Sequence, residues 1–173
     1  MKKKAGIPLM LVAVVFLILS CSSEPGIDKG KFTEVDRAAR TVRASLASAA
    51  SYQESRGLAE KLSAEIAGLK DRVRSTREKD LLKAYSDLLQ IYDDGLLLWK
   101  YKLEFSSFDF VPAGRIYVGQ DVEPIVLKYH FTTETHVYQP TRKNWKSIPE
   151  DSIRIIWSNA DSQLKVVENI TNY

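Results

Sequence analysis

The segment from Leu81 to Leu103 constrains the fold more than any other part of this sequence. Its large apolar residues recur at intervals of three and four, the repeat of one helical face. They are Leu81, Tyr85, Leu89, Tyr92, Leu96, Trp99 and Leu103. Just upstream, Ser75 and Glu78 form a capping-box pattern, so the helix is predicted to begin near Thr76. A helix with one apolar face needs a partner to cover that face.

A second helical pattern precedes this segment. Apolar residues follow the same spacing over residues 32–49, in a stretch rich in alanine, the best helix former. The pattern changes phase near Gly57 and resumes over residues 58–73, which predicts either a kink at Gly57 or a break between two helices. The polar residues 74–80 are predicted to turn the chain, so that the two helical regions form a long antiparallel hairpin.

The C-terminal third carries weaker signals. Residues 106–120 contain one proline and two glycines and are predicted to be a loop, and residues 132–147 are predicted to be a polar connection. Residues 121–131 are predicted to form a short helix, although their β-branched and aromatic content also permits a strand. Helical spacing with a proline at the start predicts a terminal helix over residues 149–169.

These predictions together describe an all-α protein. A long antiparallel helical hairpin and a C-terminal helix would form a three- to four-helix bundle within a single domain, residues 31–173.

The N-terminus carries a different kind of signal. Three lysines precede an apolar run over residues 5–19, which is short for a membrane-spanning helix, and Ile18-Leu19-Ser20-Cys21 follows. This ending resembles the lipobox of bacterial lipoproteins, and the resemblance covers residues 1–21 only. It implies a signal peptide over residues 1–20, cleavage between Ser20 and Cys21, and a membrane anchor of lipid, such as palmitate, on Cys21. An uncleaved membrane anchor is the alternative.

The residues after Cys21 indicate a location. Ser22 stands where an aspartate would retain a lipoprotein in the inner membrane, so the resemblance implies the outer membrane, facing the periplasm. Residues 21–30 are predicted to form a flexible tether behind the lipid. Because Cys21 is the only cysteine, its expected role is lipid attachment, and no disulfide can form within the chain.

Charge favours no nucleic-acid partner. The chain has 25 basic and 22 acidic residues, but residues 1–20 contain three of the lysines and no acid, so the processed chain is formally neutral.

The sequence offers little catalytic or metal-binding chemistry. His130 and His136 are the only histidines and are expected to be solvated loop residues, so no metal or cofactor is predicted. Asp93 and Asp94 lie in the strongest helix and are expected to face water. With no nucleophile elbow and no phosphate-binding glycine loop, we expect a protein that is not an enzyme. A hydrolase built on an unrecognised pair of carboxylates is the minority alternative.

Aromatic residues are stronger candidates for a binding site than the histidines and acidic residues. Tyr138 and Trp145 fall in the predicted polar connection and are the candidate partner-binding residues. The leading hypothesis is a lipid-anchored envelope lipoprotein that acts as a non-enzymatic protein-binding or assembly module. Its alanine-rich stripe could accept a partner helix or a second copy, giving a homo-oligomer. The alternative hypothesis is a small-molecule or lipid carrier with an inter-helical pocket near Phe105, Phe110 and Trp157.

Overall fold

The computed structural model describes residues 26–48 and 50–172, which contain five helices and three strands. In chain order they are α1 (Lys29–Ala47), α2 (Tyr52–Leu69), α3 (Thr76–Phe105), β1 (Arg115–Val118), α4 (Glu123–Lys128), β2 (Glu134–Tyr138), β3 (Lys143–Pro149) and α5 (Ser152–Asn172). The predicted signal peptide, with Ser20, and Cys21 lie outside the described residues. None of the helices in the described part of the chain has the length and hydropathy of a membrane span.

Helices α1, α2, α3 and α5 run alternately up and down beside one another. Lys31, near the start of α1, bonds to Glu78 in the first turn of α3, so these two helices begin at the same end of the molecule. Tyr52, at the start of α2, packs edge-on against Trp99 near the other end of α3, so α2 runs back. Gln163 of α5 donates to the carbonyl of Ala84 in α3, which aligns the middle of these two antiparallel helices.

The first helical region breaks before the predicted position. Helix α1 ends at Ala47 and α2 begins at Tyr52, whereas Gly57 lies inside α2. Ser51 caps α2 by accepting a hydrogen bond from the amide of Glu54 at 3.2 Å. The predicted hairpin of two long helices is therefore wrong in detail, because the chain reverses between α1 and α2 as well as between α2 and α3.

The predicted start of α3 is confirmed. The helix begins at Thr76, and the Ser75 hydroxyl accepts a hydrogen bond from the amide of Glu78 at 3.1 Å. The Glu78 carboxylate accepts from the amide of Arg74 at 2.8 Å and from Lys31 Nζ at 2.7 Å. The capping bonds thus stabilise the first turn of α3, and the bond from Lys31 holds that turn against α1.

The all-α prediction is wrong, because a three-stranded antiparallel sheet packs at the C-terminal end of α3. The central strand is β3, with β1 and β2 on its two sides. β1 lies in the predicted loop, and the hairpin of β2 and β3 replaces the predicted polar connection. The short helix predicted within residues 121–131 is present as α4. Its N-cap residue is Val122, whose side chain makes no capping hydrogen bond.

The terminal helix begins three residues later than predicted, at Ser152. Pro149 ends β3 instead of opening the helix.

The core has two parts that meet along α3. The larger cluster fills the space between α1, α2, α3 and α5 and includes the fully buried Leu62, Tyr85 and Leu88. The smaller cluster joins the end of α3 to the sheet, α4 and α5, with Ile116 and Ile148 as the buried residues of the sheet. Ile91 and Trp157 border both clusters.

Candidate functional site

The sheet turns a row of aromatic side chains away from the core. Successive strand residues point to opposite faces, so Ile116 and Ile148 enter the core while Tyr117 and Trp145 lie on the other face. His136 of β2 stands opposite Trp145 of β3 in the antiparallel register.

The loop after α3 completes this surface. Six rings form a continuous cluster that we call the aromatic face: Phe105, Phe108, Phe110, Tyr117, Tyr138 and Trp145. Phe110 is its centre, with ring centroids 5.4 Å from Tyr138 and 5.3 Å from Trp145. Phe105 stacks on Tyr117 at 4.8 Å, which joins the last turn of α3 to β1. These spacings are those of favourable aromatic pairs.

The aromatic face remains open to solvent at its outer end. Phe108 is 48% exposed and Tyr138 is 39% exposed, whereas Trp145 is half-buried beneath them. Two hollows are cut into the surface, and both share Phe110, Tyr138 and Trp145 as walls. The larger, about 610 Å³, has Asp109 in its lining, and the smaller, about 270 Å³, has Lys143. We call them the Asp109 hollow and the Lys143 hollow.

A buried polar network supports the aromatic face. The Ser147 hydroxyl is fully buried, accepts a hydrogen bond from Arg115 Nε at 2.9 Å and lies 2.8 Å from His136 Nε2. Arg115 also donates to the Ser147 carbonyl and pairs with Glu134 at 3.1 Å. The His136 ring stacks on Trp145 with centroids 4.2 Å apart. His136 is therefore a half-buried strand residue, and its expected place as a solvated loop residue is wrong.

The contact between Ser147 and His136 resembles a catalytic dyad only in its distance. No part of Ser147 reaches solvent, so a substrate has no access to its hydroxyl oxygen. The contact instead fixes the orientation of the imidazole ring, and the ring supports Trp145.

The structure brings the two predicted binding residues together. Tyr138 and Trp145 lie on neighbouring strands, both touch Phe110, and both line the two hollows. The sequence predicts a polar connection around these two residues, and it places Phe110 in the alternative inter-helical pocket rather than beside them. Glu134, His136 and Tyr138 share one face of β2 and Thr135 and Val137 the other, but both sets mix polar and apolar residues, so the sequence carries no clear strand signal here.

The expected exposure of Asp94 is wrong. This carboxylate is 7% exposed and accepts three side-chain hydrogen bonds, from Gln90 Nε2 at 3.0 Å, Lys128 Nζ at 2.6 Å and the Tyr129 hydroxyl at 2.9 Å. Burial raises the pKa of the Tyr129 phenol, as does its bond to Asp94. All the partners are donors on the chain itself, so the cluster joins α4 to α3. Asp93 is half-buried, and desolvation raises its pKa.

The helices leave a groove between α1 and α5. It has a volume of about 640 Å³, and Tyr92, Trp157 and Ala160 are among the apolar residues that line it. An ion pair between two of its lining residues, Arg43 and Asp161 at 2.6 Å, links α1 to α5 across the groove. The inter-helical pocket expected near Phe105, Phe110 and Trp157 is thus divided, because Trp157 lines this groove while both phenylalanines lie on the aromatic face.

Other candidate groups do not assemble into a site. His130 lies two residues after the end of α4, has a positive φ of 53° and is exposed, as expected. Within residues 26–48 and 50–172, His, Cys, Asp and Glu side chains form no group of three that could hold a metal ion. The arginines of α1 are engaged with acids, as Arg37 with Glu34 and Arg40 with Asp36.

Comparison of the chain with protein-family models, with curated proteins and with solved structures finds no match.

Proposed function

We propose that this protein is a lipid-anchored lipoprotein of the bacterial envelope, which uses its aromatic face as a non-enzymatic binding or assembly module for a protein partner. The anchor would be the acylated Cys21, in the outer membrane with the domain in the periplasm. The single observation that carries the binding role is the open ring cluster around Phe110.

The aromatic face has the composition of an interaction surface. Tyrosine, tryptophan and phenylalanine are enriched at the centres of protein interfaces, because they bury a large area at a small cost in side-chain entropy. Phe108 and Tyr138 expose much of their rings in the free protein, and the supporting rings and the Ser147 network hold them in place. A preorganised surface loses less conformational entropy when it binds.

The anchor is supported by the sequence pattern, and the position of the first helix limits the distance between the anchor and the domain. Helix α1 is capped by Asp28, whose carboxylate accepts from the amide of Gly30 at 3.1 Å. The cap stands seven residues after Cys21. A linker of that length spans at most about 25 Å when extended, which would hold the helices close to a membrane surface.

The anchor is tested by mass spectrometry of the protein from its native host. We expect a mature chain that begins at acylated Cys21 and a Cys21→Ala variant that is no longer processed in this way. A native chain with a free Cys21, or one still joined to Ser20, would contradict the proposal.

The binding role is tested by photo-crosslinking in intact cells. A photoreactive amino acid at position 108 should give a discrete crosslinked band with one envelope protein, and Tyr138→Ala should reduce that band. The matched control carries the photoreactive residue at position 127, because Leu127 is 69% exposed on α4 and lies outside the aromatic face. Equal crosslinking from both positions, or none from position 108, would contradict a specific partner at the aromatic face.

The groove between α1 and α5 favours a second function, that of a small-molecule or lipid carrier. Its volume and its apolar lining fit part of an acyl chain. Native mass spectrometry of the purified chain would reveal a bound lipid, and Ala44→Phe, which fills the groove from α1, should remove it. Within the alanine stripe, Ala38 and Ala39 are buried in the chain's own core, whereas Ala44 and Ala47 are exposed and line this groove.

A further inference from the structure

The Asp109 hollow and the Lys143 hollow lie side by side on the aromatic face and share three wall residues. Phe110, Tyr138 and Trp145 line both hollows, and the outer linings differ. In the Asp109 hollow the further walls include Phe108 and Pro140, and in the Lys143 hollow they include Phe105 and Tyr117. Each hollow therefore offers aromatic surface on more than one side, and the shared rings separate them.

We infer that the aromatic face binds an extended proline-containing segment, with one proline in each hollow and oppositely charged residues at its two ends. This inference rests on the proposed function, a protein partner at the aromatic face. A polyproline II segment has three residues per turn and rises 3.1 Å per residue, so prolines three positions apart lie on one side about 9 Å from each other. Aromatic-lined grooves recognise such segments because the proline ring is rigid and packs against the rings.

The charged residues of the two hollows determine which charge the bound segment carries at each end. Asp109 and Lys143 are both exposed, and each lines only one of the two hollows. A basic residue beside the first proline would meet Asp109, and an acidic residue beside the second would meet Lys143. Opposite charges at the rims of two similar apolar hollows set the orientation of a bound segment more than its affinity.

The test is isothermal titration calorimetry on the full chain in detergent, with synthetic peptides as probes. The first peptide has two prolines three positions apart, an arginine before the first and a glutamate after the second. The second peptide replaces both prolines by alanine. We expect saturable binding of the first peptide and binding at least about tenfold weaker for the second, the scale of losing a central contact.

Variants assign the binding to the aromatic face. Tyr138→Ala should weaken the first peptide about tenfold or more, while Leu127→Ala on α4 should leave it unchanged. Asp109→Lys, at an exposed position, should weaken the first peptide and restore binding of a peptide in which the arginine is replaced by glutamate. Circular dichroism confirms that each variant folds, and Asp109→Lys decides the question should Tyr138→Ala unfold.

The outcomes separate this inference from the proposed function. Equal affinity for the proline and alanine peptides, or no binding of either, overturns the inference. A crosslinked protein partner at position 108 would then leave the proposed function standing. Titration with an N-acetylglucosamine oligomer that binds while the peptides do not would overturn both, because the aromatic face would then serve a glycan. No crosslink from position 108 in cells would overturn the proposed function and, with it, the inference that rests on it.

Discussion

The indole of Trp157 on α5 occupies the space in which a side chain at position 95 of α3 would lie, because Gly95 has no Cβ there. A Cβ built on Gly95 would overlap three carbons of the indole, with Cε3 at 2.9 Å. Gly95 is buried in the middle of a helix of 30 residues, where glycine is ordinarily unfavourable. The close approach of α3 and α5 at this point explains why glycine is present.

Gly95→Ala is therefore expected to destabilise the protein by about 1–3 kcal/mol, in spite of the better helix propensity of alanine. The indole has to move, and it borders both parts of the core. Gly57→Ala in α2 is the matched control, since nothing lies within 4 Å of the added Cβ, and it should stabilise by up to about 1 kcal/mol. Urea denaturation of both variants measures the difference, and a gain for both would contradict the close packing.

Glu78 is expected to make stability fall at acidic pH. The bond from Lys31, together with the amide of Arg74, lowers the pKa of Glu78 from 4.5 to about 2. Because the folded state holds the carboxylate in its charged form, its contribution is complete above pH 4.5 and is lost as the pH falls from 4.5 towards 2.

The variant Glu78→Gln should lower the free energy of unfolding by about 1–2 kcal/mol at pH 7, because it loses the charge that Lys31 and the helix start require. The difference from the wild type should shrink towards zero near pH 2. Glu34→Gln, at an exposed pair with Arg37, should change stability little at either pH. Thermal melts across this pH range are the measurement, and a constant difference would exclude the ionised carboxylate as the cause.

Asp94→Ala is expected to cost about 2–4 kcal/mol. The change removes the common acceptor of three donors and leaves the Tyr129 hydroxyl and Lys128 without their partner at the junction of α3 and α4. Asp87→Ala on the same helix breaks only an exposed pair with Lys83 and should cost less than about 0.5 kcal/mol. Hydrogen exchange should show faster opening of α4 in the first variant, and unchanged protection there would refute this role.

The two candidate binding residues should separate in their effect on stability. Tyr138→Ala is expected to reduce the free energy of unfolding by less than about 1 kcal/mol, since the ring is exposed and, among the aromatic rings of residues 26–48 and 50–172, pairs only with that of Phe110. Trp145→Ala should cost about 2–4 kcal/mol, because that ring contacts Phe110, Tyr117 and His136. Denaturant titrations of the two variants decide this, and equal losses would place Tyr138 in the core.

The long helices could be predicted from the sequence because their apolar residues keep helical spacing over many turns. The stripe of α3 and its capping box at Ser75 and Glu78 give consistent signals at two levels, and the structure confirms both. The same capping-box spacing stands at Ser51 and Glu54, and it marks the position at which α2 begins. Gly57 was the weaker marker, because an exposed glycine inside a helix costs only about 1 kcal/mol.

The sheet was missed because its pattern is hidden. Only Ile116 and Ile148 are buried on its core side, while Asn144, Lys146 and Thr135 on that side are exposed. The large rings lie on the opposite face, so apolar residues occur on both faces and the alternation typical of a half-buried strand is lost. Asp94 was missed for a related reason: α4 covers a second face of α3 that the stripe of leucines does not reveal.

The bond between Lys31 and Glu78 puts the beginnings of α1 and α3 side by side, and the aromatic face stands where α3 finishes. A helix of 30 residues is about 45 Å long. Under the proposed attachment at Cys21, the aromatic face would lie at the end of α3 that is farther from the lipid anchor. The length of α3 would then separate the site of partner binding from the site of membrane attachment.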